Sequence, residues 1–325
     1  MTMYDYILEE KNVLSKILEE FKNIDIRNKK NILIIATGSS KNAALATKYF
    51  MQNTLNAIIT IVEPFNYVHY SKIDKKIDLV ILITQSGKSA SIVEAYEYIK
   101  ANTNVEILTI TSNNNCKLAK ESEYFLNLNM GEETVGFVTK GFSSTVLNLY
   151  LLAIENSNNV DKITYKKELS DVINDLPNAI QIANSLCDKE KEKLKKCSRF
   201  SCIAYGDLYG ISKEFETKFT ETVRVPSIGY ELEQYMHGPY LEANKDHILL
   251  FLNIEDSNEI RSKMLQEYME KYVMKTFSFE KNTVFVSIYM ATIIQVLSYR
   301  ISQLKSIDLG KRIFDDFDKV LKSKI

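Results

Sequence analysis

NILIIATGSSKN, residues 31–42, and DLVILITQSGKS, residues 78–89, decide how this chain folds. Each opens with an apolar run of strand length and closes in a loop of glycine and hydroxyl residues. A segment with helical spacing follows in both cases, AALATKYFMQNTL after the first and SIVEAYEYIK after the second. Both read as strand, loop and helix. The same alternation continues through AIITIV at 57–62, EILTIT at 106–111 and YFLNLN at 124–129. Short apolar strands separated by amphipathic helices require crossover connections, and these make a parallel sheet covered on both faces. Ligands of such sheets bind beyond the carboxyl ends of the strands, where TGSSKN and TQSGKS lie.

Residues 4–22 predict an amphipathic helix ahead of the first strand, and ENSNNVDKITYKKE at 155–168 reads as a polar connection into a long charged helix ending near 195. The alternation then resumes. RFSCIAY at 199–205, HILLFLN at 247–253 and YVMKTF at 272–277 are candidate strands, ISKEFETKFTET is a helix, and a long helix covers about 284–304. The fold class is therefore α/β, with two similar domains, 1–160 and 161–325, as expected for a chain of 325 residues.

The 41 basic and 42 acidic residues nearly cancel, which disfavours nucleic acid or an acidic membrane as partner. MTMYDYILEEKNVL is acidic and helical in pattern, unlike a signal peptide, and no apolar run reaches membrane-spanning length. Cys116, Cys187, Cys197 and Cys202 match neither a metal pair nor a disulfide framework, which points to the reducing cytoplasm. With three histidines, His69, His237 and His247, a histidine metal site is not expected, and neither metal nor cofactor is.

With ten glycines in the chain, Gly38 and Gly87 carry weight. Each stands beside Ser or Thr between a strand and a helix, where unpaired helix N–H groups and hydroxyls can hold a phosphate. Either loop alone reads first as a turn with an N-cap, the two together favour binding, and neither has Walker or GxGxxG spacing. A second constellation lies in KFTETVRVPSIGYELEQYMHGP, 218–239. Lys218 and Glu221 share a helix face, and His237 precedes a Gly-Pro turn. A carboxylate and an imidazole can serve as base and acid on a sugar, or can be a solvated helix face and a surface histidine.

Taken together these segments resemble the tandem sugar-isomerase (SIS) domain proteins, among them the isomerase half of glucosamine-6-phosphate synthase and the fructosamine-6-phosphate deglycases. The resemblance rests on TGSSKN, TQSGKS, EETVGFVTKGF at 132–142, and a helix ending in a glutamate followed by HGP at 237–239. It implies two flavodoxin-like domains, each a parallel sheet with helices on both faces. It also implies that Ser39, Ser40, Thr84, Gln85, Ser86 and Ser89 bind the sugar phosphate, that Glu221 transfers a proton, that His237 opens the sugar ring and that Lys218 lies near the reacting carbons. In the synthase that histidine comes from the neighbouring subunit, so a homodimer with a shared active site is expected.

The departures narrow the activity. The sequence ahead of the first strand does not read as a glutaminase domain, so glutamine-dependent synthesis is not expected. The tail DLGKRIFDDFDKVLKSKI offers Lys319 as the best match to the synthase's Schiff-base lysine, in surroundings closer to the deglycases. The expected function is a deglycase that hydrolyses a 6-phosphorylated ketosamine to a hexose 6-phosphate and an amine. An aldose-ketose phosphosugar isomerase, an amino-sugar-phosphate deaminase and a sugar-phosphate-binding regulator are the alternatives.

Overall fold

The computed structural model describes residues 1–324 apart from 312 and 315. Their contacts divide the chain into two compact units. One comprises Asn12–Glu133, Lys140–Lys166 and Lys311–Ile325, and the other Met1–Lys11, Thr134–Thr139 and Lys167–Gly310.

The first of these units holds five parallel strands, β1 Asn31–Ile35, β2 Ile58–Val62, β3 Leu79–Ile83, β4 Glu106–Thr111 and β5 Tyr124–Asn127, in the order β2-β1-β3-β4-β5. That is the flavodoxin order. Side chains alternate between faces along each strand. Leu33, Ile35, Val80, Leu82 and Ile107 bury one face against Ile92, Ala95, Tyr96 and Ile99 of the helix Ala90–Asn102. The helix Lys140–Asn156 packs against the helices Gly38–Leu45 and Lys48–Leu55. The single helical segment expected after the first strand is thus two, separated at Ala46 and Thr47.

The second unit repeats the scheme with four parallel strands, β6 Arg199–Ala204, β7 Ser227–Glu231, β8 His247–Ile254 and β9 Lys275–Lys281, in the order β7-β6-β8-β9. Ile203, Leu249 and Phe251 cover one face with Tyr235, Leu232 and Met269. The helix Val286–Leu304 is buried along nearly its whole length and packs on the helices Leu176–Lys189 and Leu208–Thr222.

Two expectations change, and one strand is unexpected. The long charged helix to about 195 is three helices, Lys162–Asn174, Leu176–Lys189 and Lys191–Lys196; the first break falls just ahead of Pro177, which can open a helix but not continue one, and the second at Glu190. The last strand starts at Lys275, since Tyr272 and Val273 turn back onto Met269 and the buried alternation runs through Thr276, Phe277 and Phe279. SIGYE, which carries no readable pattern, is β7 and pairs with β6.

Candidate phosphate loops and proton-transfer residues

The chain leaves β1 through Thr37 and a left-handed Gly38 (φ 56°), and enters the helix Gly38–Leu45 with Ser39 and Ser40 half-buried in its first turn. No side chain caps that helix. The first N–H groups of a helix have no internal acceptor, and those of Gly38 and Ser40 meet no protein acceptor among the described residues.

β3, the neighbour of β1, ends in the second loop. Thr84 is buried and donates its N–H to Ile110. Gly87 turns the chain at φ 68°, and a Cβ there would lie 2.7 Å from Cys116, so the loop admits no other residue without shifting. Ser86 is exposed, its Oγ accepts the Lys88 N–H at 3.2 Å, and its carbonyl accepts from Asn113 at 3.1 Å. The Gln85 carbonyl accepts from Thr111 Oγ1 at 3.1 Å and Ser112 Oγ at 2.6 Å. The N–H groups of Gln85 and Ser86 donate to no protein group among the described residues. Adjacent free N–H groups beside hydroxyls form a concavity suited to an anion. Ser89 stands at the head of the helix Ala90–Asn102, where the tail reaches it: Ala90 N–H donates to Ser323 at 3.1 Å and Ser89 bridges Lys324. Lys319 is exposed on the short helix Phe317–Leu321.

A cavity of about 820 Å³ opens at the amino ends of β1, β3 and β4, lined by Lys29, Tyr67, Asp78 and Glu106 among others. It contains none of the candidate residues, and the loops lie at the opposite ends of these strands.

In the other unit the chemistry stands on the last turns of the helix Leu208–Thr222. Lys218 is fully buried, with its Nζ 2.5 Å from Glu221 Oε2 and 3.7 Å from Glu214 Oε1. Glu214 is buried too, whereas the Glu221 side chain is 35% exposed. A buried ammonium thus holds one buried carboxylate and one carboxylate that solvent or a ligand can reach. Glu214 escapes a sequence reading because a glutamate at helical spacing looks like a solvated face.

His237 terminates the short helix Leu232–Met236 and is exposed. Its Nδ1 lies 2.8 Å from the Glu233 carbonyl, which can only accept. Nδ1 therefore carries a proton in this contact, and the tautomer it selects has its lone pair on Nε2. His237 bonds to neither Lys218 nor Glu221. The nearby glutamates are occupied: Glu231 caps the Leu232–Met236 helix through Gln234 N–H at 2.9 Å, and Glu233 pairs with Arg261 NH2 at 2.9 Å. Arg224 donates from Nε to the Glu221 carbonyl at 3.3 Å.

Burial pushes the Cys187 and Cys197 thiols up to about 12 and about 11, so neither supplies a thiolate nucleophile at neutral pH. Among the described residues no three His, Cys, Asp or Glu side chains gather as a metal site needs, and no helix is long and apolar enough to cross a membrane.

Comparison with known proteins agrees with this architecture. Residues 25–155 match the model of the SIS domain. Over 320 residues the chain is 28% identical to a glutamine–fructose-6-phosphate aminotransferase (isomerizing) of Wigglesworthia glossinidia brevipalpis, covering 91% of this chain and 52% of that protein. The chain spans about half the length of the curated relatives it matches. Two solved structures share the fold. The C-terminal domain of glucosamine-fructose-6-phosphate aminotransferase from Francisella tularensis aligns at a TM-score of 0.86 and 19% identity, covering 94% of this chain and 96% of that one. Glucosamine-6-phosphate deaminase from Thermotoga maritima aligns at 0.82 and 22% identity, covering 96% and 97%.

Proposed function

We propose that this chain, whose residues 25–155 match the SIS-domain model, is an enzyme of 6-phosphorylated sugars. Its specific reaction is that of a deglycase, which hydrolyses a 6-phosphorylated ketosamine to a hexose 6-phosphate and a free amine. The observation that carries this reading is Glu221, a reachable carboxylate held 2.5 Å from the buried Lys218 ammonium.

The phosphate is retained by the free N–H groups of the two loops with the hydroxyls of Ser39, Ser40, Thr84, Ser86 and Ser89. The Nε2 lone pair of His237 accepts the proton of the anomeric hydroxyl, the C2–ring oxygen bond breaks to leave the C2 ketone, and the imidazolium returns the proton to the departing ring oxygen. Glu221 then removes a proton from C1 and returns it to C2. The C1–N bond becomes an imine as the amine nitrogen gives up its N–H proton, the C2 carbonyl oxygen takes up a proton and becomes a hydroxyl, and Lys218 offsets the charge that develops. Water adds at C1, the amine leaves, and the aldose phosphate remains. The amine arrives with the substrate, so the exposed Lys319 has no required step. We also assign a homodimer, in which the exposed His237 serves the site of a second copy.

A deaminase of amino-sugar phosphates is the second reading, favoured by the likeness to the Thermotoga maritima deaminase. Incubation with fructoselysine 6-phosphate and conjugates of other amines separates the two. Release of glucose 6-phosphate and the amine is expected, and no release across the panel would sink the deglycase. Ammonia from glucosamine 6-phosphate would identify the deaminase, and interconversion of ketose and aldose phosphates an isomerase.

A further inference from the structure

Gln85 lies in the second phosphate loop, yet its amide nitrogen is already committed. Nε2 donates to Glu133 Oε2 at 3.2 Å and reaches Met130 Sδ at 3.4 Å. An ionised carboxylate only accepts, so the end of the amide turned towards Glu133 is the NH2 group. Glu133 is itself fixed, because the same Oε2 accepts the Gly141 N–H at 3.1 Å, in the first turn of the helix Lys140–Asn156. A carboxylate is favoured at that end of a helix. The packing leaves no slack: a Cβ on Gly141 would lie 2.2 Å from Gln85 Nε2. With the Gln85 carbonyl held by Thr111 and Ser112, the residue is anchored at both ends. Among the described residues, the one polar side-chain atom of Gln85 without a protein partner is Oε1.

Oε1 is an acceptor, and so are the oxygens of a phosphate dianion. The two repel. We propose that the Gln85 side chain accepts a hydrogen bond from a hydroxyl of the sugar, leaving the phosphate to the main-chain N–H groups and serine hydroxyls. Glu133 is the positioning residue that fixes the amide. The inference rests on the phosphosugar reading above, and it assigns to this loop a role in telling a sugar phosphate from a simple phosphate ester.

Titration calorimetry with glucose 6-phosphate and with ethyl phosphate, which has no hydroxyl, tests it. Gln85→Leu is expected to weaken glucose 6-phosphate roughly five- to tenfold, the loss of one hydrogen bond, and to leave ethyl phosphate unchanged. Glu133→Gln is expected to do the same, because a neutral amide at 133 lets the Gln85 amide turn over, and Glu133→Asp restores part of the affinity. Circular dichroism checks that each variant is folded, and Gln85→Leu decides alone if the Glu133 variants are not. Equal weakening of both ligands, or no weakening of either, would overturn the proposal. Failure of the wild type to bind either ligand would remove the phosphosugar reading itself, and the inference with it.

Discussion

The two sheets follow one strand order but put their candidate chemistry at opposite ends of a helix. After β1 it is the amino end of Gly38–Leu45 that carries Ser39 and Ser40; after β6 it is the carboxyl end of Leu208–Thr222 that carries Lys218 and Glu221. A helix amino terminus presents N–H groups and partial positive charge, so it retains an anion with neutral donors alone. A carboxylate at the other terminus meets partial negative charge, and here a buried lysine compensates it. One βα unit thus suits holding and the other suits moving protons, according to which end of the helix is used.

Breaking the second region should have the largest effect on turnover and almost none on binding. Glu221→Gln is expected to lower kcat on the order of 10²–10⁴-fold, measured by release of hexose 6-phosphate. Lys218→Met attacks the same cluster through stability. It strands the Glu214 side chain, 1% exposed, without its ammonium, and should cost about 3–5 kcal/mol in urea unfolding. Replacing Glu214 and Lys218 together by apolar residues should recover much of that loss.

A third prediction uses His247, buried at the amino end of β8 with Nε2 2.9 Å from Ser201. Burial pulls its pKa down from 6.5 to about 4. Between those values the unfolded chain binds a proton that the folded chain does not. Stability should therefore fall as pH drops through 6.5 and level off near 4, by roughly 3 kcal/mol in all. Denaturation midpoints across that range check this, and His247→Asn should flatten the dependence. The smallest effect belongs to the first region: Ser86→Ala should weaken glucose 6-phosphate about three- to tenfold, with kcat at saturation nearly unchanged.

Both loops were legible because each follows a strand whose apolar run is unmistakable and precedes a periodic helix. The spacing of Lys218 and Glu221 placed them on one face, and their side chains meet there. What stayed hidden was set by burial or by distance along the chain. Lys140–Asn156 is buried on nearly all sides, its polar residues included, so it offers no contrast of period 3.6. Pro226 just before β7 and Gly229 within it interrupt any strand pattern, and only pairing with β6 extends it. Glu133 is 48 residues from Gln85, and only the fold brings its carboxylate to the amide.

Titration of glucose 6-phosphate into the wild type, Gly87→Ala and Glu221→Gln tests the division of labour most directly. The loop variant, with a Cβ forced to φ 68° and against Cys116, should lose most of its affinity, and Glu221→Gln should bind as the wild type does. Equal affinity in Gly87→Ala, or binding abolished in Glu221→Gln, would contradict the assignment of phosphate to the loops and proton transfer to the helix end.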